Sequence, residues 1–299
     1  MNSSKPVVVG LGEVLWDLLP AGKQLGGAPA NFAYHAGALG ARAAVVSAVG
    51  DDALGREILA RLDALGVARW SVATDPAHPT GTVSVQLDAG GTPTYEIHRD
   101  VAWDHVPWSA QLAELARSAD AVCFGSLAQR SPGTRATTMA FLTETRPDCL
   151  RVLDINIRKT ADLSVVPDLL ARSNIFKLNH EEMPVVAKML SLGDDEKPAA
   201  RELIARFALK LVAVTHGGAG SHLYAPGHHS FVRAPIVKVV DTVGAGDSFT
   251  AAIVMGCLAG RSLEEIHRRA TDVAAYVCTQ AGGTPALPEE LRAIVTRHG

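Results

Sequence analysis

Short continuous apolar runs recur along the chain, at Val7–Val9, Ala44–Val49, Ala121–Phe124, Arg151–Ile155, Ile175–Leu178 and Leu211–Thr215. Runs of this length suit strands buried on both faces, the usual signature of a parallel sheet. Helical patterns lie between them, at Asn31–Leu39, Ala53–Leu65, Gln111–Arg117, Thr134–Thr145 and Ala199–Phe207. Such segments supply the crossovers that a parallel sheet requires. The pattern predicts an α/β fold with three layers, α/β/α, around a mainly parallel sheet. One region breaks the alternation. Thr82–Leu87 and Thr94–Ile97 alternate apolar with polar positions around the turn signal Asp88-Ala89-Gly90-Gly91, which predicts a solvent-facing hairpin. From Asp247 onward the pattern is helical, interrupted at Gly282-Gly283-Thr284-Pro285.

The chain has 299 residues, 47% hydrophobic and 20% charged, enough apolar material for one large core. We expect a single domain over 1–299, with a small β lid contributed by about 14–24 and 80–104. The formal net charge of −3 gives no basic face for nucleic acid or anionic lipid, so a small-molecule partner is expected. Cys123, Cys149, Cys257 and Cys278 are widely separated in apolar surroundings and read as reduced core thiols. The start of the chain lacks the pattern of a signal peptide, and no apolar stretch approaches a membrane span, so a cytoplasmic location is expected.

The segment Asp241-Thr242-Val243-Gly244-Ala245-Gly246-Asp247 leads into the apolar run Ser248–Ile253, so loop is expected to become helix at Asp247. Glycines let backbone amides aim at one point, and a helix start adds unpaired N–H groups and partial positive charge. The result is a hole for an anion such as phosphate. A carboxylate at Asp247 in such a hole suits a base that takes a proton from an attacking hydroxyl, and the combination describes phosphoryl transfer. Read alone, the same string is also a glycine turn with Asp247 capping a helix.

With its leading Asp241-Thr242 pair, this segment resembles the second signature of the ribokinase-like carbohydrate kinases, the PfkB family. Gly26-Gly27-Ala28-Pro29-Ala30-Asn31 resembles the first signature. The resemblance implies that Gly27 and Asn31 meet sugar hydroxyls, where the residues alone show a glycine turn before a helix. Asp154-Ile155-Asn156-Ile157-Arg158 resembles the strand end whose arginine, here Arg158, faces the triphosphate. Asn179-His180-Glu181-Glu182 is similar to the Asn-x-x-Glu motif, which implies Asn179 near the nucleotide and Glu182 holding Mg²⁺ through water. Val214–Ser221 resembles the nucleotide-binding turn, implying Thr215, Gly217 and Gly220 at ATP, with His216 facing solvent. By itself the turn reads as a plain hairpin.

Gly12–Pro20, together with the run from Leu25 through His35 to Gly50-Asp51, is similar to bacterial fructokinases of this family. This implies that Asp17 binds sugar hydroxyls, since a carboxylate accepts two at once; without the resemblance Asp17 is a surface residue ahead of Pro20. Val101-Ala102-Trp103-Asp104 has the same likeness, with Trp103 packing the hinge, and one of Glu96, His98 and Arg99 is expected to touch sugar.

The resemblance covers essentially the whole chain, and it implies transfer of the γ-phosphoryl of ATP to a primary hydroxyl of a sugar, fructose first. Asp247 would be the base, and the amides of Gly244, Ala245, Gly246 and Asp247 the anion hole. Arg158 would neutralise charge. Asp17, Gly27, Asn31 and Asp247 would hold the sugar. Asn179, Glu182, Thr215, Gly217, Gly220, Gly244, Gly246 and Cys278 would frame ATP and its Mg²⁺, with K⁺ near Asp241, Val243, Cys278 and Gly283. Another alcohol (2-keto-3-deoxygluconate, ribose or a nucleoside) and a non-catalytic sugar or nucleotide sensor stay open. Sugar and ATP are the expected partners, with no nucleic acid and no membrane; a homodimer through the lid is compatible with its unpaired strand edge. The sequence has no Gly-x-x-x-x-Gly-Lys-Ser/Thr loop, and Leu15 stands where a dinucleotide fingerprint needs glycine. Gly-x-Ser-x-Gly and His-Glu-x-x-His are also absent.

Overall fold

The computed structural model describes residues 5–19, 22–87 and 93–292. The first strands in chain order are β1 (Val7–Leu11), β2 (Leu15–Leu19), β3 (Gly22–Gly26), β4 (Arg42–Gly50), β5 (Val72–Asp75), β6 (Thr82–Leu87) and β7 (Pro93–Ile97). They are followed by β8 (Ala121–Phe124), β9 (Leu150–Asp154), β10 (Ile175–Asn179), β11 (Leu211–Thr215), β12 (Ser221–Ala225) and β13 (His228–Val232). Nine of these form one sheet in the order β13-β12-β11-β10-β9-β8-β1-β4-β5. From β11 to β5 every neighbouring pair is parallel, and β12 and β13 extend the edge antiparallel.

The continuous apolar runs follow from helices covering both faces of this sheet. α1 (Ala28–Ala38) and α2 (Ala53–Ala64) precede a group formed by α3 (Ala110–Ser118), α4 (Pro132–Glu144), α5 (Val166–Ala171), α6 (Glu182–Leu190) and α7 (Glu196–Phe207). The chain ends with α8 (Ala245–Leu258), α9 (Leu263–Cys278) and α10 (Glu289–Arg292). Leu115, Phe141, Leu169, Val186 and Leu203, one from each of α3 to α7, share a core with Val9, Val122, Leu153, Phe176 and Val212. The alternate strand positions Val8, Cys123, Val152, Ile175 and Ala213 pack instead with Phe32, Ile253 and Val273 of α1, α8 and α9. Successive strand residues point to opposite faces, so two covered faces demand an unbroken apolar run. The architecture is the three-layer ribokinase-like fold.

The predicted hairpin belongs to a second sheet of order β3-β2-β6-β7. β2 pairs antiparallel with β3 and parallel with β6, while β6 and β7 are antiparallel. The Asp88–Gly91 turn signal and Pro20 lie outside the described residues. Trp103 sits fully buried at the root of this sheet with Val101, Leu127 and Ala128, and the Arg130 guanidinium lies 4.0 Å over its ring. The four cysteines are free; Cys123 and Cys149 are buried, and Cys257 and Cys278 are partly so. Among the described residues no helix is long and apolar enough to cross a membrane.

Candidate active site

The parallel strands finish along one edge of the sheet, at Leu11, Phe124, Asp154, Asn179 and Thr215, where open α/β sheets bind ligands. A cleft of about 1290 Å³ opens there between the main sheet and the small one. It gathers Asp17, Gly27, Asn31, Arg158, Asp241, Val243, Gly244, Gly246 and Asp247, residues drawn from segments far apart in sequence.

α8 starts at Ala245, with Gly244 as its N-cap, rather than at Asp247 as the glycines suggested. Gly244 adopts φ +77° and packs so closely on the Gly283 backbone that a Cβ would collide with the Gly283 carbonyl, so the chain turns there and helix follows at once. The earlier start puts Gly246 and Asp247 in the first turn, where the helix cannot pair its own amides. Asp247 is held by Asn31, whose Nδ2 donates to its Oδ2 at 2.9 Å. Burial, reinforced by the nearby Asp154 charge, pushes the Asp247 carboxyl up to about 6, against the pull of the Asn31 hydrogen bond, Lys177 and Arg158. Asn31 Oδ1 and Glu13 Oε2 are buried without a protein partner, and both residues line the cleft. Acceptors left unmet in this way suit a ligand rich in hydroxyl donors.

Glu13 was not singled out in the sequence. It follows β1 directly and is 4% exposed, and burial together with Asp247 pushes its carboxyl up to about 7, with Arg158 opposing. Its sequence signal is an acid inside the otherwise apolar stretch from Val7 to Trp16. Lys177 was also missed. It interrupts the apolar run Ile175–Leu178 and pairs in register with Asp154 on β9, with Nζ 3.0 Å from Asp154 Oδ1. Thr250 of α8 donates to the other oxygen of Asp154 at 2.9 Å. Burial pulls the Lys177 pKa down, but Asp154 and Glu182 more than offset it, so the group is raised. A Cβ on Gly246 would lie 3.1 Å from Lys177 Nζ, which puts a buried cation against the first turn of α8. Asn156 lines the cleft with φ +40°, a backbone state that asparagine tolerates better than most residues. Asp17, opposite Gln24 on β3, has its carboxyl raised by burial, with Arg158 opposing.

The residues expected at the nucleotide are arranged differently. Asn179, Glu182, Thr215, Gly217, Gly220, Cys278 and Gly283 do not line the cleft. Glu182 is 6% exposed; its Oε1 accepts from Ile157 N at 2.7 Å and its Oε2 from Asn179 N at 2.8 Å. Asn179 Oδ1 in turn caps Glu181 N and Glu182 N, each at 2.9 Å. Thr215 ends β11, and Gly217 and Gly220 both take positive φ in the turn that follows, Gly217 exposed and Gly220 buried against the Val232 backbone. Asp241 ties its loop to the connection after α9, accepting from Val243 N and Gly282 N at 3.0 Å each. The Cys278 carbonyl accepts from Val240 N at 2.8 Å. The Gly283 carbonyl accepts from His35 Nε2 at 2.9 Å, which places the His35 proton on that nitrogen.

A buried carboxylate in the first turn of a helix, in a cleft that leaves acceptors unmet, suits a phosphotransferase with an alcohol acceptor. The chain belongs to the pfkB family of carbohydrate kinases, whose sequence profile matches residues 21–290. Fructokinase-2 of Solanum lycopersicum is 28% identical over 324 aligned residues, which cover 99% of this chain and 98% of that protein. A sugar kinase from Pyrococcus horikoshii, solved in complex with ATP, has a TM-score of 0.79 at 25% identity, covering 97% of this chain and 100% of its own. A Vibrio cholerae fructokinase double mutant, solved with fructose, ADP and potassium ion, has a TM-score of 0.79 at 23% identity, covering 99% and 100%; that likeness bears on the fold.

Proposed function

We propose that the chain transfers the γ-phosphoryl group of ATP to a primary hydroxyl of a sugar, with fructose as the acceptor. The observation that carries this reading is Asp247: a carboxylate in the first turn of α8, held by Asn31 and raised to about 6. A base works best when its pKa lies near the working pH. One Asp247 oxygen takes the proton from the acceptor hydroxyl. The hydroxyl oxygen then forms its bond to the γ-phosphorus while the bond to the bridging oxygen breaks, and that electron pair leaves on ADP. The Ala245 amide expected in the anion hole donates instead to the Thr242 carbonyl at 3.3 Å, so the amides of Gly244, Gly246 and Asp247, the helix dipole, Lys177 and Arg158 oppose the negative charge spread over the phosphoryl oxygens.

Asp17, Glu13, Gly27 and Asn31 supply the acceptors and close backbone that a polyol needs. The small sheet acts as a lid that excludes water during transfer. ATP lies along the Thr215–Gly220 turn and the loop ahead of α8. The neutralising chemistry of Mg²⁺ comes with ATP, and Glu182, already accepting two backbone N–H groups, would reach that ion only through water. Of the residues expected near K⁺, Cys278 and Gly283 have carbonyls that already accept N–H bonds, and no step here depends on that ion. The test is ATP-dependent turnover across fructose, 2-keto-3-deoxygluconate, ribose and a nucleoside. Highest kcat/KM on fructose supports the acceptor assignment. Turnover of a nucleoside with none on fructose overturns it.

A further inference from the structure

Away from the cleft, the far edge of the nine-stranded sheet carries histidines that phosphoryl transfer does not use. His216 follows β11, His222 lies on β12 and His229 on β13, while Glu196 is the first residue of α7, which packs beside β12. His216 Nε2 is 2.7 Å from Glu196 Oε2, yet the pair is out of line for a hydrogen bond and Nε2 is buried without one. The His222 ring meets that of His216 edge to face at 5.3 Å and 72°. One donor atom each from Glu196, His216 and His222 lies within 4.8 Å of the others. Bonds of about 2.0–2.2 Å to a tetrahedral ion separate its donors by about 3.4 Å, so side-chain adjustment alone closes the set.

The outer partners that such ligands need are already present. Tyr224 donates its hydroxyl to the second Glu196 oxygen, Oε1, at 2.8 Å. His222 Nδ1 and His229 Nε2 are 2.9 Å apart, so one proton lies between them. When His222 supplies it, its Nε2 lone pair is free for a cation, and ligating histidines commonly hold their other N–H in this way. Among the described residues, His78, Asp100 and His105 have similar composition. There His78 Nε2 and His105 Nε2 lie 3.6 and 3.0 Å from Asp100 Oδ1, but that carboxylate is 78% exposed, so the set stands open to water, unlike the half-buried Glu196, His216 and His222.

We infer that Glu196, His216 and His222 form a site for Zn²⁺ or a similar transition-metal cation, with solvent completing the coordination. Imidazole with carboxylate suits such ions, whereas Mg²⁺ prefers oxygen alone. The ion would pin the turn after β11 to α7 and β12. Metal uptake does not depend on where ATP binds; an effect on ATP use rests on the proposed nucleotide role of Thr215 to Gly220.

Metal-stripped protein titrated with Co²⁺ tests this, because tetrahedral Co²⁺ absorbs visible light far more strongly than the aqueous ion. One equivalent should bind with a tetrahedral spectrum and be displaced by Zn²⁺. His229→Phe, which removes only an outer partner, should weaken binding by about 10- to 100-fold, and His222→Gln and Glu196→Gln, which remove ligands, by more. No tetrahedral spectrum in the wild-type protein, or one unchanged in both ligand variants, overturns the site. KM for ATP is then measured with and without Zn²⁺. A change that His222→Gln abolishes supports the coupling, and bound metal with an unchanged KM refutes the coupling while leaving the site.

Discussion

Between β1 and β10 the site is lined by charged groups that the fold has already taken out of water, whereas beyond β11 the turn at Gly217–Ala219 and the strand-free segment at Val239 and Val240 stand in solvent. Glu13, Asp154 and Lys177 are all under a tenth exposed, and Asn31 fixes Asp247 from the other end of the chain. On the side proposed for the nucleotide, Val239 and Val240 are each 58% exposed and Val243 43%, and Gly217 and Gly218 form an open turn. The contrast reflects two physical problems. A base and its anion hole must be oriented before substrate arrives, since reorganisation during transfer would cost rate. A nucleotide brings its own large apolar and charged surfaces, and an exposed loop can order around them on binding.

The largest effect expected from breaking this contrast is at Asp247. Asp247→Asn should lower kcat by about 10²- to 10⁴-fold while leaving ATP affinity within a few-fold of wild type; equal loss of both would show that Asp247 serves binding rather than proton transfer. In the intact enzyme kcat/KM for sugar should fall as pH drops through about 6, as Asp247 takes up its proton, and a flat profile would remove it as the base.

Next in size is Lys177→Met, which leaves Asp154 buried without its cation. Loss of one partner of a buried pair typically costs about 3–5 kcal/mol, readable as a shift in urea midpoint. An unchanged midpoint would mean that Asp154 is solvated or neutral in the folded protein.

Glu13→Gln should act in the opposite sense. Because the folded carboxyl titrates near 7 and the free group near 4.5, the folded state keeps its proton longer than the unfolded chain. The wild-type protein therefore loses stability as pH rises between those values, with a cost of up to about 3 kcal/mol above them. Glu13→Gln should raise Tm at pH 8 and change it little at pH 4, at the expense of sugar affinity. A lower Tm at pH 8 would contradict the burial argument. Smallest of all, Val243→Ser on the exposed side should leave stability within about 0.5 kcal/mol and alter only KM for ATP.

Much of this molecule is legible in its sequence, for a reason visible in particular strands. β1, β8, β9, β10 and β11 are covered on both faces, so each reads as an apolar run whatever its neighbours. β12 is different: Ser221, His222, Leu223, Tyr224 and Ala225 alternate, because an antiparallel edge strand keeps one face toward solvent. The site residues on turns and a helix start, Gly27, Asn31, Gly244 and Asp247, announce themselves through glycine chemistry and resemblance. Lys177 and Glu13 do not, because burial makes them matter and their partners come from elsewhere. Lys177 meets Asp154 through parallel register, and Glu13 feels Asp247 and Arg158 only after the sheet assembles. No linear spacing encodes those meetings.

The most direct test is the structure of the enzyme with fructose and a non-hydrolysable ATP analogue. The account predicts a primary hydroxyl oxygen about 2.6–3.2 Å from an Asp247 oxygen, with the γ-phosphorus in line beyond it and the α8 amides on its oxygens. A sugar whose hydroxyls face away, with Asp247 still bonded only to Asn31, would contradict it.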